Sequence, residues 1–155
     1  MAAKRKRQYH QGVFTPKNPG KYVGDVTNIV YRSSWELRFL IWLDLNPSVI
    51  MYSSEEFKIP YYSKADGKSR TYYPDFMVQF KAADGGTKTV LVEIKPADQV
   101  KPPKQTKRKK PETYLQELYD WQVNQDKWEA AEQWSKERGI EFRVFTEYDL
   151  GLKKR

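Results

Sequence analysis

Two acidic residues and a lysine in the middle of the chain have the types and spacing that metal-dependent hydrolysis of a phosphodiester bond requires. Asp75 follows a proline and opens the apolar run FMVQF, and Glu93 and Lys95 close the run TVLVEIK. Carboxylate oxygens bind hard divalent cations such as Mg²⁺. A bound Mg²⁺ or Mn²⁺ withdraws charge from a phosphate and activates water, and a neighbouring ammonium stabilises the charge of the transition state.

Strand geometry predicts that these three side chains meet. Side chains on a strand alternate between its faces, so Glu93 and Lys95 share a face. The turn at 84–86 (Asp-Gly-Gly) is typical of a hairpin, which would bring the strand of Asp75 beside that of Glu93. The pattern of an Asp followed downstream by Glu-x-Lys is a weak signal by itself. Chance matches are common, because 31% of the residues are charged. An ordinary amphipathic strand with a solvated polar end is the alternative.

Glu36 is a third carboxylate that could join this site. It lies three residues after Ser33, at the start of a predicted helix over 34–45 that ends at Asn46-Pro47. Ser33 and Glu36 form a capping-box pattern, and an acid in the first turn also favours the helix dipole. On the residues alone, helix capping and a catalytic role are equally well supported, and the two can coexist.

The remaining pattern predicts an α/β fold. Apolar residues cover nearly the whole circumference of helix 34–45, which predicts burial on all sides. Strands are predicted at 49–52, 57–62, 71–80, 87–95 and 140–146, and a long helix at about 112–138. This order favours a small mixed β-sheet flanked by helices. On the long helix, Gln122, Gln125 and Lys127 interrupt an aromatic stripe. They could contact a substrate or mark the solvated edge of the stripe, and the second interpretation is favoured.

The domain boundaries follow from composition. Residues 1–20 are polar and basic and are broken by Pro16, Pro19 and Gly20, which predicts an arm without regular structure. Residues 21–155 then form a single domain. The stretch 96–110 is rich in proline and lysine and is predicted to be a loop.

The positive charge is concentrated in the terminal segments and in this loop. The net charge is +8, and removing the thirteen cations of 4–7, 101–110 and 153–155 leaves −5 for the rest. Such segments are typical of chains that bind nucleic-acid phosphates, although solvated charge runs are the alternative. The candidate DNA-binding residues are Lys4, Arg5, Lys6, Arg7, Lys101, Lys104, Lys107, Arg108, Lys109 and Lys110.

The composition excludes several classes of chemistry. The chain has no cysteine, so thiol nucleophiles and cysteine-based zinc sites are excluded. Its one histidine, His10, lies in the basic arm and is a poor candidate for a catalytic base. No window approaches about 18 apolar residues, and no secretion signal is visible, so no membrane contact is expected.

The motifs YRSSWE, YYPDF and VEIKP in residues 31–95 resemble the restriction-endonuclease-like core, the PD-(D/E)XK type, shared with the endonuclease subunit of Tn7-type transposases. The stretch NQDKWEAAEQWSKERGIEFRVFTE is similar to the same group. The closer resemblance is to the head-completion proteins of T4-like phages, carried by YHQGVFTPKNPGKYVGD, SSWELRF and EEFKIPY.

The resemblance implies a metal-dependent DNA endonuclease with Glu36, Asp75, Glu93 and Lys95 as catalytic positions. It implies that Asp75, Glu93 and Glu36 surround Mg²⁺ or Mn²⁺. The implied partners are DNA and phage head or portal proteins, in the host cytoplasm, with the virion head as an alternative place. A homodimer would let a small nuclease cut both strands, but no interface can be read from the sequence. Two alternatives stay open: a non-catalytic assembly protein that binds DNA ends and the portal, and a transposon-type endonuclease subunit.

Overall fold

The computed structural model describes residues 11–152 and contains a four-stranded sheet with a helix packed on each face. The elements in chain order are β1 (Gly12–Phe14), β2 (Ile29–Tyr31), α1 (Ser34–Leu45), β3 (Val49–Ser54), β4 (Ile59–Ser63), β5 (Lys68–Tyr72), β6 (Phe76–Lys81), β7 (Thr87–Ile94), α2 (Ala97–Val100), α3 (Pro111–Glu137) and β8 (Glu141–Phe145). A short 3-10 turn lies at Pro19–Lys21. The predicted α/β class is confirmed.

The central sheet is mixed. Its strand order is β3-β6-β7-β8, with antiparallel pairing except between β7 and β8, which are parallel. The strands β1 and β2 form one separate hairpin-like pair, and β4 and β5 form another. The strand predicted over 71–80 is two strands in the structure. Pro74, which has no backbone N–H to donate, lies in the break between them.

The two faces of the sheet carry two apolar cores. On one face Val78 and Val92 belong to the core that also contains Leu40 and Leu43 of α1. On the other face Met77 and Leu91 belong to the core formed with Trp128 and Ala131 of α3. Successive residues of β6 and β7 therefore pack into cores on opposite faces of the sheet, as in a central strand that is covered on both sides.

The prediction that α1 is buried on all sides was wrong. Leu40 and Leu43 are buried, but Ile41, Trp42 and Leu45 are exposed by 44%, 46% and 53%. A helix that covers one face of a sheet buries only the stripe that it turns toward the strands. No further element of the described chain covers the outer side of α1.

The absence of regular structure predicted for residues 1–20 was wrong for part of that segment. Gly12–Phe14 pairs with Ile29–Tyr31, and the backbone N–H groups of Lys17 and Asn18 donate to the Asp44 carboxylate at 2.9 and 3.2 Å. Asp44 is 2% exposed, so these bonds tie the segment to the end of α1. The rest of the predicted arm, with Lys4, Arg5, Lys6, Arg7 and His10, and the three cations at 153–155 lie outside the described residues.

No helix within residues 11–152 is long and apolar enough to cross a membrane.

Candidate active site

The register of β6 and β7 places Asp75 and Glu93 side by side. Phe76 lies opposite Val92 and Met77 opposite Leu91, so the next position along the pair sets Asp75 opposite Glu93. Directly opposed residues of an antiparallel pair point to the same face of the sheet. The two carboxylates therefore meet at the edge where β6 begins and β7 ends, on the face that packs against α3.

Asp75 is held by the backbone on both sides. The N–H of Ile94 donates to its Oδ2 at 2.8 Å, and its own carbonyl accepts from the N–H of Glu55 at 3.0 Å. Burial raises the pKa of Asp75 well above its usual range, and the charge of Glu93 raises it further, while the bond from Ile94 acts in the opposite direction. At neutral pH, a cation would therefore be strongly favoured beside this carboxyl.

Glu93 is more deeply buried, at 8% exposed. The hydroxyl of Tyr72 donates to its Oε2 at 2.7 Å. Burial raises the pKa of Glu93, whereas the hydrogen bond from Tyr72 and the charges of Lys95 and Lys127 lower it. The hydrogen bond occupies one carboxylate oxygen and fixes the orientation of the group, which leaves Oε1 for another partner.

Lys95 follows directly on β7 and keeps the strand's register. Its backbone N–H donates to Phe145 of β8 at 2.9 Å, which continues the parallel pairing beyond Ile94. By strand alternation its side chain shares a face with Glu93, and its charge acts on that carboxyl. Lys95 also lines a cleft of about 420 Å³ beside α3. The predicted grouping of an Asp, a Glu and a Lys is thus present in the fold.

Glu36 takes part in the predicted helix cap. Its N–H donates to Ser33 Oγ at 3.1 Å, and its Oε2 accepts from the N–H of Arg32 at 2.9 Å. Burial raises the pKa of Glu36, and its charge is among those that raise the pKa of Asp75. Within the described part of the chain, no group of three or more acidic or histidine side chains is arranged to hold a metal ion. A role for Glu36 as third metal ligand stays a prediction.

The donor set of Asp75 and Glu93 nevertheless fits a divalent cation. Mg²⁺ is commonly bound through one or two carboxylates, with waters and substrate phosphates completing the shell. Burial raises the pKa of both carboxyls, and the charge of Glu93 raises that of Asp75 further, so the charged forms of the pair are destabilised in the fold. A cation between them would stabilise those charged forms.

Three residues near the site were missed by sequence reasoning. Tyr72 binds Glu93, and the Lys127 ammonium lies 5.8 Å from the centre of the Tyr72 ring. Lys127, which the sequence places at the edge of the aromatic stripe, is half-buried, and its charge acts on the Glu93 carboxyl. Glu55 follows directly after β3 and has a φ of 55°. Its side chain pairs with Arg32 at 2.5 Å, and its backbone N–H donates to the carbonyl of Asp75. No periodic pattern distinguishes these residues in the sequence.

The described basic segment at 101–110 is an extended connection between α2 and α3. Lys101, Lys104, Lys107, Arg108 and Lys110 are exposed. Lys109 instead forms hydrogen bonds within the protein: its Nζ donates to Glu117 at 2.6 Å and to the carbonyl of Lys104 at 2.5 Å. Contact of these cations with DNA stays a prediction.

We expect Asp75→Asn to increase the free energy of unfolding of the metal-free protein at pH 7, by about 0.5–2 kcal/mol. The substitution removes a buried charge beside Glu93 and can keep the bond from Ile94. Because the folded carboxyl binds its proton at higher pH than the unfolded one, wild-type stability is lost as pH rises through the raised pKa of Asp75. The variant should lose less stability than the wild type as the pH rises above the ordinary carboxyl pKa. Urea unfolding in EDTA measures both effects.

Asp84→Asn is the matched control, since Asp84 is exposed on the turn at the other end of the same two strands. Its stability should follow the wild-type pH dependence. If the free energy of unfolding of wild type and of Asp75→Asn depended on pH in the same way, the fold would not destabilise the charged form of Asp75.

Comparison with known proteins agrees with this geometry. The family model of the TnsA-like endonuclease N-terminal domain matches residues 46–147, which include Asp75, Glu93 and Lys95 and begin after Glu36. The chain is also 41% identical over 146 residues to the head completion nuclease of Enterobacteria phage T4, covering 91% of this chain and 93% of that protein. The chain therefore belongs to the TnsA-like endonuclease family.

Proposed function

We propose that this nuclease hydrolyses DNA with the help of a divalent cation, Mg²⁺ or Mn²⁺, held by Asp75 and Glu93. The observation that carries the proposal is the β6–β7 register, which sets the two carboxylates on one face with Lys95 beside them. When bound, the cation would withdraw charge from the scissile phosphate and lower the pKa of an attacking water.

The chain's own groups then have distinct roles. Asp75 is fixed by the N–H of Ile94 and Glu93 by the hydroxyl of Tyr72, so both carboxylates are held in place before the substrate arrives. The Lys95 ammonium orients the water and neutralises charge that develops on the phosphate. Glu36, at the first turn of α1, would add negative charge near Asp75 and could contact the cation through water.

We further propose that the activity serves phage head completion. The relative from phage T4 is named a head completion nuclease, and the similarity extends over nearly the whole of both chains. DNA in the infected host cell would be the substrate. Phage head proteins such as the portal would be the partners, and the virion head is the alternative location.

Two other functions remain as alternatives, and each would make different use of the features described above. A non-catalytic assembly protein would bind DNA ends and the portal, but it would have no need of the paired carboxylates with raised pKa values. A transposon-type endonuclease subunit would share the family domain. If the protein cuts both strands, a homodimer would supply two such sites.

We expect the protein to cleave linear and supercoiled plasmid with Mg²⁺ or Mn²⁺, without strong sequence preference. EDTA should abolish cleavage. Asp75→Ala and Lys95→Ala should each lower the rate by about 100-fold or more, since the first removes a ligand of the cation and the second removes a positive charge that acts on the reacting phosphate. Gel assays of initial rate measure this.

The control is Lys136→Ala, which removes an exposed cation from the last turn of α3 and should cleave like wild type. Equal activity in Asp75→Ala and wild type would place the reaction at another site or in a contaminant. Failure of every form to cleave, with DNA binding retained, would favour the assembly protein.

We expect Tyr72→Phe to weaken metal binding by about 10-fold, because residues that orient metal ligands typically change affinity by 10- to 100-fold. The substitution removes the hydrogen bond to Glu93, so a larger fraction of that carboxyl is protonated and its orientation is less restricted. Calorimetric titration with Mn²⁺ in the absence of DNA measures the affinity. Tyr62→Phe, on the exposed side of β4, is the control. Unchanged affinity in Tyr72→Phe would rule out this orienting role.

A further inference from the structure

A cleft of about 420 Å³ lies beside the candidate active site, between the end of β7, the β4–β5 hairpin and α3. Three cationic side chains line it, Arg70, Lys95 and Lys127, against one carboxylate, Asp120. Lys95 belongs both to this cleft and to the catalytic group. Whatever binds in the cleft is therefore adjacent to the reacting phosphate.

Lys127 reaches this cleft from α3. It is half-buried, and none of the ion pairs found among residues 11–152 includes it. Its Nζ lies 5.8 Å from the centre of the Tyr72 ring, and burial lowers its pKa while the charge of Glu93 raises it. A partly desolvated ammonium without an ion-pair partner costs free energy that an anionic ligand would recover.

Arg70 lies on the opposite wall and has a fixed orientation. Its Nε donates to Asp66 at 2.8 Å, and its Nη2 contacts the same carboxylate oxygen. The remaining terminal nitrogen, Nη1, makes no hydrogen bond with the described residues. A guanidinium held along one edge presents its other donors in a defined direction, which suits recognition of phosphate oxygens.

We propose that this cleft binds a phosphate of the DNA strand next to the scissile phosphodiester, with Lys127 as the main contact and Arg70 at the outer edge. The proposal rests on the proposed function in taking DNA as the ligand. Consecutive phosphates of one strand would then contact Lys95 and Lys127 in turn. Lys127 would thus position the strand, while Lys95 acts on the phosphate that reacts.

The simplest alternative is that Lys127 only compensates the charge of Glu93. The two interpretations differ in their dependence on salt. A lysine that contacts a DNA phosphate displaces a condensed counterion, so its removal lowers the slope of log affinity against log salt by about 0.9. A lysine that acts only inside the protein leaves that slope unchanged.

The test measures binding of a short duplex by fluorescence anisotropy in EDTA, from 50 to 200 mM salt. All proteins carry Asp75→Asn, so neither cleavage nor metal binding contributes. Adding Lys127→Met, which keeps an unbranched side chain over Tyr72, should lower the magnitude of the slope by about 0.9 and weaken binding about 5- to 10-fold at 100 mM salt. Adding Lys127→Arg should restore most of the slope.

The matched control adds Lys136→Met, which removes the same charge nine residues further along α3 and on the opposite side of the helix. Its slope should equal that of the Asp75→Asn parent. If Lys127→Met and Lys136→Met lowered the slope equally, the effect would come from the change in net charge alone. That result would overturn the proposal that a DNA phosphate binds in the cleft. An unchanged slope in Lys127→Met would overturn it as well. Neither result depends on whether the protein cleaves DNA, so failure of the cleft and failure of the nuclease proposal are distinguishable.

Discussion

The burial and mutual repulsion of two neighbouring carboxylates form the constraint on which the rest of the site depends. The apolar pairs Phe76–Val92 and Met77–Leu91 fix the register of β6 and β7, and that register sets Asp75 opposite Glu93. A slip of one residue would move either carboxylate to the other face of the sheet, toward the core that contains Leu40 and Leu43 of α1. The free energy of the two cores therefore holds two like charges together that would otherwise separate.

The groups around the pair reduce this repulsion without removing it. Tyr72 donates to Glu93, Ile94 donates to Asp75, and Lys95 and Lys127 contribute positive charge. Yet burial keeps the pKa of each carboxyl above its ordinary value, and the charge of Glu93 adds to this effect at Asp75. A bound cation would stabilise the charged form of both carboxyls. Titratable groups with shifted pKa values of this kind are common at functional sites.

The sequence predicted the grouping of the candidate catalytic residues more fully than the contacts around them. Asp75, Glu93 and Lys95 could be found because strand periodicity is local and the glycine turn at 84–86 specifies a hairpin. The cap formed by Ser33 and Glu36 was predictable for the same reason, since its bonds span three or four residues. The roles of these residues in catalysis stay predictions.

Other features depend on contacts between distant segments. Tyr72 meets Glu93 only because Pro74 interrupts the run 71–80 and lets β5 pair with β4 instead of continuing into the sheet. The position of Lys127 is set by the angle at which α3 crosses the sheet. The exposed side of α1 was missed because an apolar sequence does not show whether a second layer covers it.

A crystal of the protein grown with Mn²⁺ would test the central claim most directly. The anomalous signal should show one strong peak bound by oxygens of both Asp75 and Glu93, each about 2 Å away. A peak held by only one of these carboxylates, or Mn²⁺ bound elsewhere with this pair unoccupied, would contradict the account.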